Sequence, residues 1–298
     1  MPDEHRRQFA LDELAPLFAT LERISSPCVL MGGQAACYWA CTFLATEPAL
    51  GELAALVPFL SKDVDFQGNR DAVIALARAL GKRAEVPDFR NAFGNLMAGK
   101  IILNYPEGPL SVEVLRKVPG LAAGDLLRLS AMMRFRDHTI RVLNPVAMLM
   151  AKSWNVVNIT KEGRHDTEQL YALVICVRAF LRLILSEGDD DNACLRGALK
   201  FIEQALRFTE LPAGRRTAER CGVDWSQILP HTFIAAGTQP AVVRLREKRL
   251  PGWLAHLARY HRAVPVTETH RKLLTILARH AEPLCGDSTV PTSRSTPS

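Results

Sequence analysis

The feature that most constrains this chain is a pair of carboxylates one residue apart in a strand-like stretch, Asp63-Val64-Asp65-Phe66. Side chains alternate between the two faces of a β-strand, so Asp63 and Asp65 are predicted to project from one face. Val64 and Phe66 are then predicted to face the core. Two carboxylates at that range repel each other unless a cation lies between them. This geometry suits a Mg²⁺ site on a rigid strand, although two solvated acids are the commoner origin of an Asp-x-Asp motif taken alone.

A pair of glycines lies upstream of the acids. The apolar run from Cys28 to Met31 ends in Gly32 and Gly33, and a helix-like stretch follows from Gln34. A strand–glycine–helix turn leaves backbone N–H groups unpaired at the helix N-terminus, where a phosphate can approach closely. A tight turn that needs glycine only for a positive φ angle fits the same residues, and both interpretations stay open.

A third acid, Glu113, lies downstream in another strand-like stretch. Residues Leu110 to Leu115 are predicted to form a strand, paired in a hairpin with the strand-like Gly99 to Tyr105. Taken alone, Glu113 would be a strand residue on the solvent face. Its position on a later strand candidate places it in order after Asp63 and Asp65.

Two helices follow the strands. Asn144 is a favoured N-cap and Pro145 a favoured first helical residue, so a helix is predicted to begin there and to end near residue 159. Lys152 is the single charge in the middle of this helix, and it must either extend to solvent or point into a polar cleft. Asp166 is predicted to lie in the first turn of the next helix, where the helix dipole favours an acid.

Length, charge and cysteine content set broader bounds. A chain of 298 residues is long enough for one large domain or two ordinary ones. A net charge of +6 permits an anionic partner without requiring one. Seven cysteines, an odd number, and a start without the apolar core of a signal peptide predict a cytoplasmic protein. The apolar run from Leu170 to Leu185 contains Arg178 and Arg182, so it is predicted to be a buried helix, with no membrane contact.

The C-terminal part is basic and helical by pattern. From Leu211 to His280 there are 12 Lys or Arg against 4 Asp or Glu, with Trp225, Trp253 and Tyr260 among them. The dominant basic residues are Arg215, Arg216, Arg220, Arg244, Arg246, Lys248, Arg249, Arg259 and Arg262. This composition would suit RNA or another long anionic partner, although solvated helix faces produce the same pattern.

Taken in order, the glycine pair, the Asp-x-Asp strand and the later carboxylate resemble the nucleotidyltransferase superfamily. The Pro-initiated helix with a central Lys, followed by a basic residue and Asp, resembles the AbiEii-type abortive-infection and toxin–antitoxin nucleotidyltransferases, over roughly residues 25–175. Relatives often have Lys-Asp-x-x-Asp-Leu where this chain has His165-Asp166-Thr167-Glu168-Gln169-Leu170. Most relatives have Asp where this chain has Glu113, and their gap between glycines and acids is usually shorter than here, where residues 43–60 form an insert.

The resemblance implies an α+β fold: a nucleotidyltransferase palm with a small mixed β-sheet and flanking helices, and a helical C-terminal part that closes over it. The implied division is a palm at residues 1–143, a helical domain at 144–284 and a disordered tail at 285–298. The implied chemistry is transfer of a nucleoside monophosphate from an NTP to an acceptor hydroxyl, with two Mg²⁺ ions. The residues implied are Asp63, Asp65 and Glu113 for the metal, Gly32, Gly33, Lys62 and Lys152 for the nucleotide, and Asp166 to orient Lys152.

The acceptor stays open between RNA (tRNA included), a protein side chain and a small molecule such as an aminoglycoside, and a toxin–antitoxin role would add a cognate antitoxin protein. Two rival hypotheses remain. One is a catalytically degenerate nucleotidyltransferase fold that binds a nucleotide, RNA or a partner without turnover. The other takes the basic helical part as an RNA- or protein-binding module, with the palm as its scaffold.

Overall fold

A computed structural model describes residues 7–88, 96–106, 108–122, 126–159, 165–188, 192–259 and 267–285. These residues form one mixed sheet with helices packed around it, which confirms the predicted α+β class. The strands are β1 Val29–Met31, β2 Asp63–Gln67, β3 Ala84–Glu85, β4 Met97–Tyr105, β5 Gly108–Leu115, β6 Ser130–Phe135 and β7 His138–Leu143. Their order across the sheet is β3-β4-β5-β2-β1-β7-β6.

The acid-bearing strand β2 lies at the centre of the sheet. It pairs antiparallel with β1 on one side and parallel with β5 on the other. Val64 and Phe66 are completely buried, because they project into the core between the sheet and the helices. A strand held on both edges and anchored by two buried apolar side chains is a rigid support for whatever its other face carries.

The helices cover the sheet and extend beyond it. They are α1 Ala15–Leu21, α2 Gly32–Phe43, α3 Pro48–Leu56, α4 Arg70–Ala79, α5 Pro145–Asn158, α6 Asp166–Glu187, α7 Asn192–Glu210, α8 Pro212–Cys221, α9 His231–Ala236, α10 Pro240–Arg244, α11 Leu250–Ala258 and α12 Glu268–Arg279. Short 3-10 helices lie at Leu11–Leu14 and Trp225–Ile228, and a π-helical turn lies at Leu245–Arg249. Among the described residues, α6 is the one helix long and apolar enough to cross a membrane, and most of it is buried inside the protein, as predicted for a core helix.

The insert between the glycines and the acids forms α3 and docks on α6. Glu47, just before α3, pairs with Arg178 of α6 through an Nη2–Oε2 contact of 3.1 Å, and both side chains are almost fully buried. Arg182 also pairs with Glu47. The two arginines inside the apolar run are therefore ion-pair partners that attach the insert to the central helix.

One hairpin of the sheet has no counterpart in the sequence prediction. Strands β6 and β7 pair antiparallel around a turn in which Arg136 has a φ of 53°. Strand β7 then pairs parallel with β1 through Leu30 and Val142. The buried apolar side chains of the sheet and of the helices form one continuous core. The division at residues 143 and 144 stays a prediction, and the predicted tail lies outside the described residues from residue 286 onward.

Candidate functional site

Three carboxylates lie side by side on one face of the sheet. Asp63 and Asp65 are half-buried and alternate with the buried Val64, which confirms the predicted alternation along β2. In the parallel pairing of β2 with β5, Asp65 and Glu113 are direct Cα partners. Partners in this register project to the same face, so the third acid lies next to the Asp pair.

The Glu113 carboxylate is contacted by an ammonium group and by a hydroxyl group. Lys100 on β4 is its Cα partner on the other side, and Lys100 Nζ lies 3.9 Å from Glu113 Oε1. The Ser111 hydroxyl donates a hydrogen bond to the same carboxylate oxygen at 3.2 Å. A cation at Glu113 would therefore compete with Lys100, whereas the donor to the Asp63 carboxylate is the uncharged Ser61 hydroxyl.

The glycine pair allows the start of α2 to lie directly against the acid strand. Met31 pairs with Asp65 across the antiparallel β1–β2 ladder, so α2 begins one residue beyond that contact. Gly32 has a φ of +68°, and a Cβ atom there would overlap the Asp65 carboxylate. A Cβ atom on Gly33 would overlap the Ser61 hydroxyl. Both glycines are therefore required for close approach, and the helix N-terminus opens beside the carboxylates.

Gly32→Ala is expected to destabilise the fold by at least about 1–2 kcal/mol, because the residue must hold a positive φ angle and also displace Asp65. Gly51→Ala is the matched control, since Gly51 lies inside α3 with no neighbouring atom within 4 Å of an added Cβ. That control is expected to be neutral or stabilising by up to about 1 kcal/mol. Urea unfolding of both variants measures the difference, and equal stabilities would show that close approach at Gly32 is unimportant.

Lys152 points into a polar cleft and not to solvent. Its helix α5 begins as predicted, because Asn144 Oδ1 accepts a hydrogen bond from the Ala147 N–H at 2.9 Å. Lys152 is 5% exposed and Asp166, the first residue of α6, is 7% exposed. Lys152 Nζ donates to Asp166 Oδ1 at 2.7 Å. The two residues form a buried ion pair.

One cavity brings the predicted residues together. Its volume is ≈ 400 Å³, within the range of small-molecule sites. All eight residues proposed from the sequence line it: Gly32, Gly33, Lys62, Asp63, Asp65, Glu113, Lys152 and Asp166. They come from β2 and the residue before it, from β5, and from three helices, so the fold assembles them from distant parts of the chain.

Five polar side chains line the cavity without having been proposed: Gln8, Ser61, Asn155, His165 and Gln169. Ser61 precedes Asp63 by two residues and donates to its Oδ1 at 3.3 Å. Strand alternation could have identified Ser61, and three-residue helical spacing from Lys152 and Asp166 could have identified Asn155 and Gln169. No comparable signal points to Gln8, whose amide hydrogen-bonds with the His165 ring at 3.3 Å.

The charge and chemistry of the lining suit a hard cation. Four carboxylates and two ammonium groups line the cavity, which leaves a net charge of −2 with His165 neutral. Within the described ranges, no three His, Cys, Asp or Glu side chains converge closely enough to hold an ion by themselves. Mg²⁺ does not require such a group, because it commonly binds through one or two carboxylates together with water and substrate phosphates. Asp63 and Asp65 therefore fit the ion, with Glu113 as a neighbouring donor.

Cysteine chemistry does not compete with this interpretation at the buried Cys37 and Cys221 or at the half-buried Cys28. Burial raises the pKa of the Cys37 thiol to about 12, and it raises the pKa values of Cys28 and Cys221 to about 11. Nucleophilic attack by cysteine requires the thiolate form. These three residues are therefore neutral packing groups at physiological pH.

Part of the basic C-terminal charge is used inside the fold. Arg249 forms a bidentate pair with Glu210 at 2.8 and 3.0 Å, and Arg246 donates to main-chain carbonyl groups between residues 234 and 237. Trp225 and Trp253 are buried in the core, so these two aromatic rings are not available to stack on a ligand. Tyr260 and Arg262 lie outside the described residues.

Comparison with known proteins adds little to the geometry. No protein-family model and no curated protein matches the chain. Among solved structures, the chain is similar to an antigenic nucleotidyltransferase-like protein from Paracoccidioides brasiliensis, with 12% sequence identity and a TM-score of 0.39. The similarity covers 64% of this chain and 95% of that chain. A likeness this distant supports no conclusion about this chain.

Proposed function

We propose that the protein is a nucleotidyltransferase, which moves a nucleoside monophosphate from an NTP to an acceptor hydroxyl and releases pyrophosphate. The observation that carries the proposal is a single cavity in which a glycine-initiated helix, three carboxylates and a buried lysine meet. Phosphoryl transfer requires a binding site for the phosphates, oxygen ligands for a cation and a fixed positive charge. The helix N-terminus, the carboxylates and the lysine supply these in turn.

The chain's own residues divide the work of binding. The triphosphate would lie at the N-terminus of α2, where the backbone N–H groups beyond Gly32 and Gly33 and the helix dipole favour negative charge. Lys152 would offset phosphate charge, and Asp166 holds its ammonium group in place. Asp63 and Asp65 would hold Mg²⁺ with Glu113 beside them, and Glu113 is the candidate base for the acceptor hydroxyl. Bound Mg²⁺ would supply charge neutralisation and activation of that hydroxyl.

Labelling with each α-³²P NTP tests the proposal. The wild-type protein is incubated with Mg²⁺ and total cellular RNA and protein, and the products are separated after nuclease or protease digestion. Label in one class of macromolecule would establish transfer and identify the acceptor class together. Absence of label with a folded protein, all four nucleotides and several divalent metals would count against the enzyme.

A binding protein without turnover is the second candidate. It is favoured by one specific observation, the contact between Glu113 and Lys100 at 3.9 Å. A carboxylate that is paired with an ammonium group is a poorer metal ligand and a poorer base than one without such a partner. Such a protein would bind an NTP tightly and leave it intact. Metal-dependent release of pyrophosphate distinguishes the two candidates directly.

RNA is the acceptor that the surface beside the cavity supports best. Arg220 on α8 donates to the Val157 carbonyl at 3.2 Å, which places it at the end of α5. Asn155, in the last turn of α5, lines the cavity. Arg216 is one turn earlier on α8, and neither arginine forms an ion pair within the part of the chain that the structure describes. A toxin–antitoxin role and a cognate antitoxin extend this proposal and come from the resemblance to AbiEii-type proteins, and a cytoplasmic location is a further proposal that rests on the cysteine content.

Arg216→Gln/Arg220→Gln is expected to lower the salt dependence of RNA binding. Each lost phosphate contact on a single strand reduces the slope of log K against log salt by about 0.7, so the double variant should lose about 1.4. Filter binding across a salt series measures the slope. Arg244→Gln/Lys248→Gln removes the same charge from exposed positions outside α8. It should reduce the slope of log K against log salt by less than the α8 variant does. If binding survives Asp63→Asn/Asp65→Asn with an unchanged slope and no transfer is detected, the RNA-binding module hypothesis gains support.

A further inference from the structure

Gln169 occupies a position in the cavity that the proposed chemistry has not yet used. It belongs to α6, three residues after Asp166, and it lines the cavity. We infer that Gln169 is a substrate-contacting residue, which donates its amide N–H to the triphosphate and keeps that end of the cavity free of a further negative charge. This inference rests on the proposed function, because it assumes that the anion bound at α2 is an NTP.

The first support is the location of the amide nitrogen. A Cβ atom on Gly33 would lie 3.2 Å from Gln169 Nε2. The amide therefore lies against the first turn of α2, the place where the backbone N–H groups would receive phosphate. Within the described chain, the Gln169 side chain makes no hydrogen bond to another protein group, so its N–H donors are available to a ligand.

The second support is the charge of the surroundings. The lining already carries four carboxylates against two ammonium groups. A carboxylate at position 169 would add a negative charge within a few ångströms of the phosphates, where like charges repel most strongly. An amide of the same size removes that repulsion and adds a donor.

Two substitutions separate the donor from the charge. Gln169→Met keeps similar bulk without a donor, and Gln169→Glu keeps the shape while adding the charge. Isothermal titration with a non-hydrolysable NTP analogue and with the matching nucleoside, both in Mg²⁺, measures the two affinities. We expect triphosphate binding about tenfold weaker in the Met variant, the effect of one lost hydrogen bond to a charged group, and about a hundredfold weaker in the Glu variant. Nucleoside binding should change less than about twofold in either variant.

The controls distinguish failure of the Gln169 role from failure of the proposed nucleotidyltransferase function. Gln204→Glu makes the same change in a half-buried amide of α7 outside the cavity lining, and it should leave both affinities unchanged. Thermal melting verifies that each variant folds, and the uncharged Met variant carries the test alone if the Glu variant does not fold. If the wild type binds the triphosphate and the two Gln169 variants bind it with the same affinity, the role of Gln169 alone is overturned. Equal weakening for triphosphate and nucleoside would overturn it too, whereas a wild type that binds no triphosphate would overturn the proposed function and this role with it.

Discussion

Asp63→Asn and Asp65→Asn are each expected to reduce nucleotide transfer by at least about 100-fold while leaving the fold as stable as the wild type or slightly more stable. The two carboxylates are half-buried neighbours on one face of β2, so they repel each other whenever no cation lies between them. Asn keeps the size and shape of Asp and removes that repulsion. Loss of activity without loss of stability is what distinguishes a ligand residue from a packing residue.

Titration with Mg²⁺ gives an independent readout of the same prediction. An ion that binds only the folded protein raises the melting temperature, by an amount set by its concentration relative to Kd. The wild-type melting temperature should therefore rise with Mg²⁺, and that of the two Asn variants should not. Asp71→Asn, an exposed acid in the first turn of α4, is the matched control and should behave as the wild type does. Full transfer activity in both Asn variants would move the site away from β2.

Glu113 decides between the enzyme and the binding protein. If Glu113 ligates the ion or accepts the proton of the acceptor hydroxyl, Glu113→Asp should retain measurable transfer and Glu113→Gln should lose it. Lys100→Met removes the ammonium group 3.9 Å from the Glu113 carboxylate, and in an active enzyme it should alter the Mg²⁺ dependence. A protein that binds NTP equally in all three variants and releases no pyrophosphate is a binding protein.

The parts of the site that obey local rules could be predicted from the sequence. Alternation along β2 placed Asp63 and Asp65 on one face because strand geometry has a fixed period of two residues. Asn144 identified the start of α5, because a side-chain acceptor is needed where the first helical N–H groups are unpaired. For Lys152 the local rules left two outcomes open, solvent or a polar cleft, and the structure shows the second, with Asp166 as its partner.

The parts of the fold that depend on packing between distant segments could not be predicted from the sequence. Strand β6 reads Ser-Ala-Met-Met-Arg-Phe, which has no clear alternation, and it forms because β7 extends the sheet beyond β1. Trp225 and Trp253 lie among basic residues in the sequence, yet both are buried, with their indole N–H groups bonded to Gly214 and Thr209. Composition alone cannot separate an aromatic ring that stacks on a ligand from one that fills a core.

Lys152→Met is expected to destabilise the protein by about 3–5 kcal/mol and to abolish transfer. Lys152 and Asp166 are each more than nine-tenths buried, so removing the ammonium group takes away the ion-pair partner that Lys152 provides for a buried carboxylate. Asp166→Leu should lower the free energy of unfolding by a similar amount, because it removes the carboxylate partner of the buried Lys152 ammonium group. Urea unfolding measures the free energies, and the single exposed substitution Arg271→Met, in a surface pair with Glu268, should change stability by less than about 0.5 kcal/mol.

The double variant Lys152→Met/Asp166→Leu separates structure from function at this pair. Replacement of a whole buried ion pair by apolar groups of similar volume is often neutral or stabilising, so the double variant should recover most of the stability that either single variant loses. It should not recover transfer, because the buried ammonium group that is proposed to offset the phosphate charge is gone. Recovery of both stability and activity would show that the pair supports the fold alone, and that the charge which offsets the phosphates lies elsewhere in the cavity, with Lys62 as the next residue to replace.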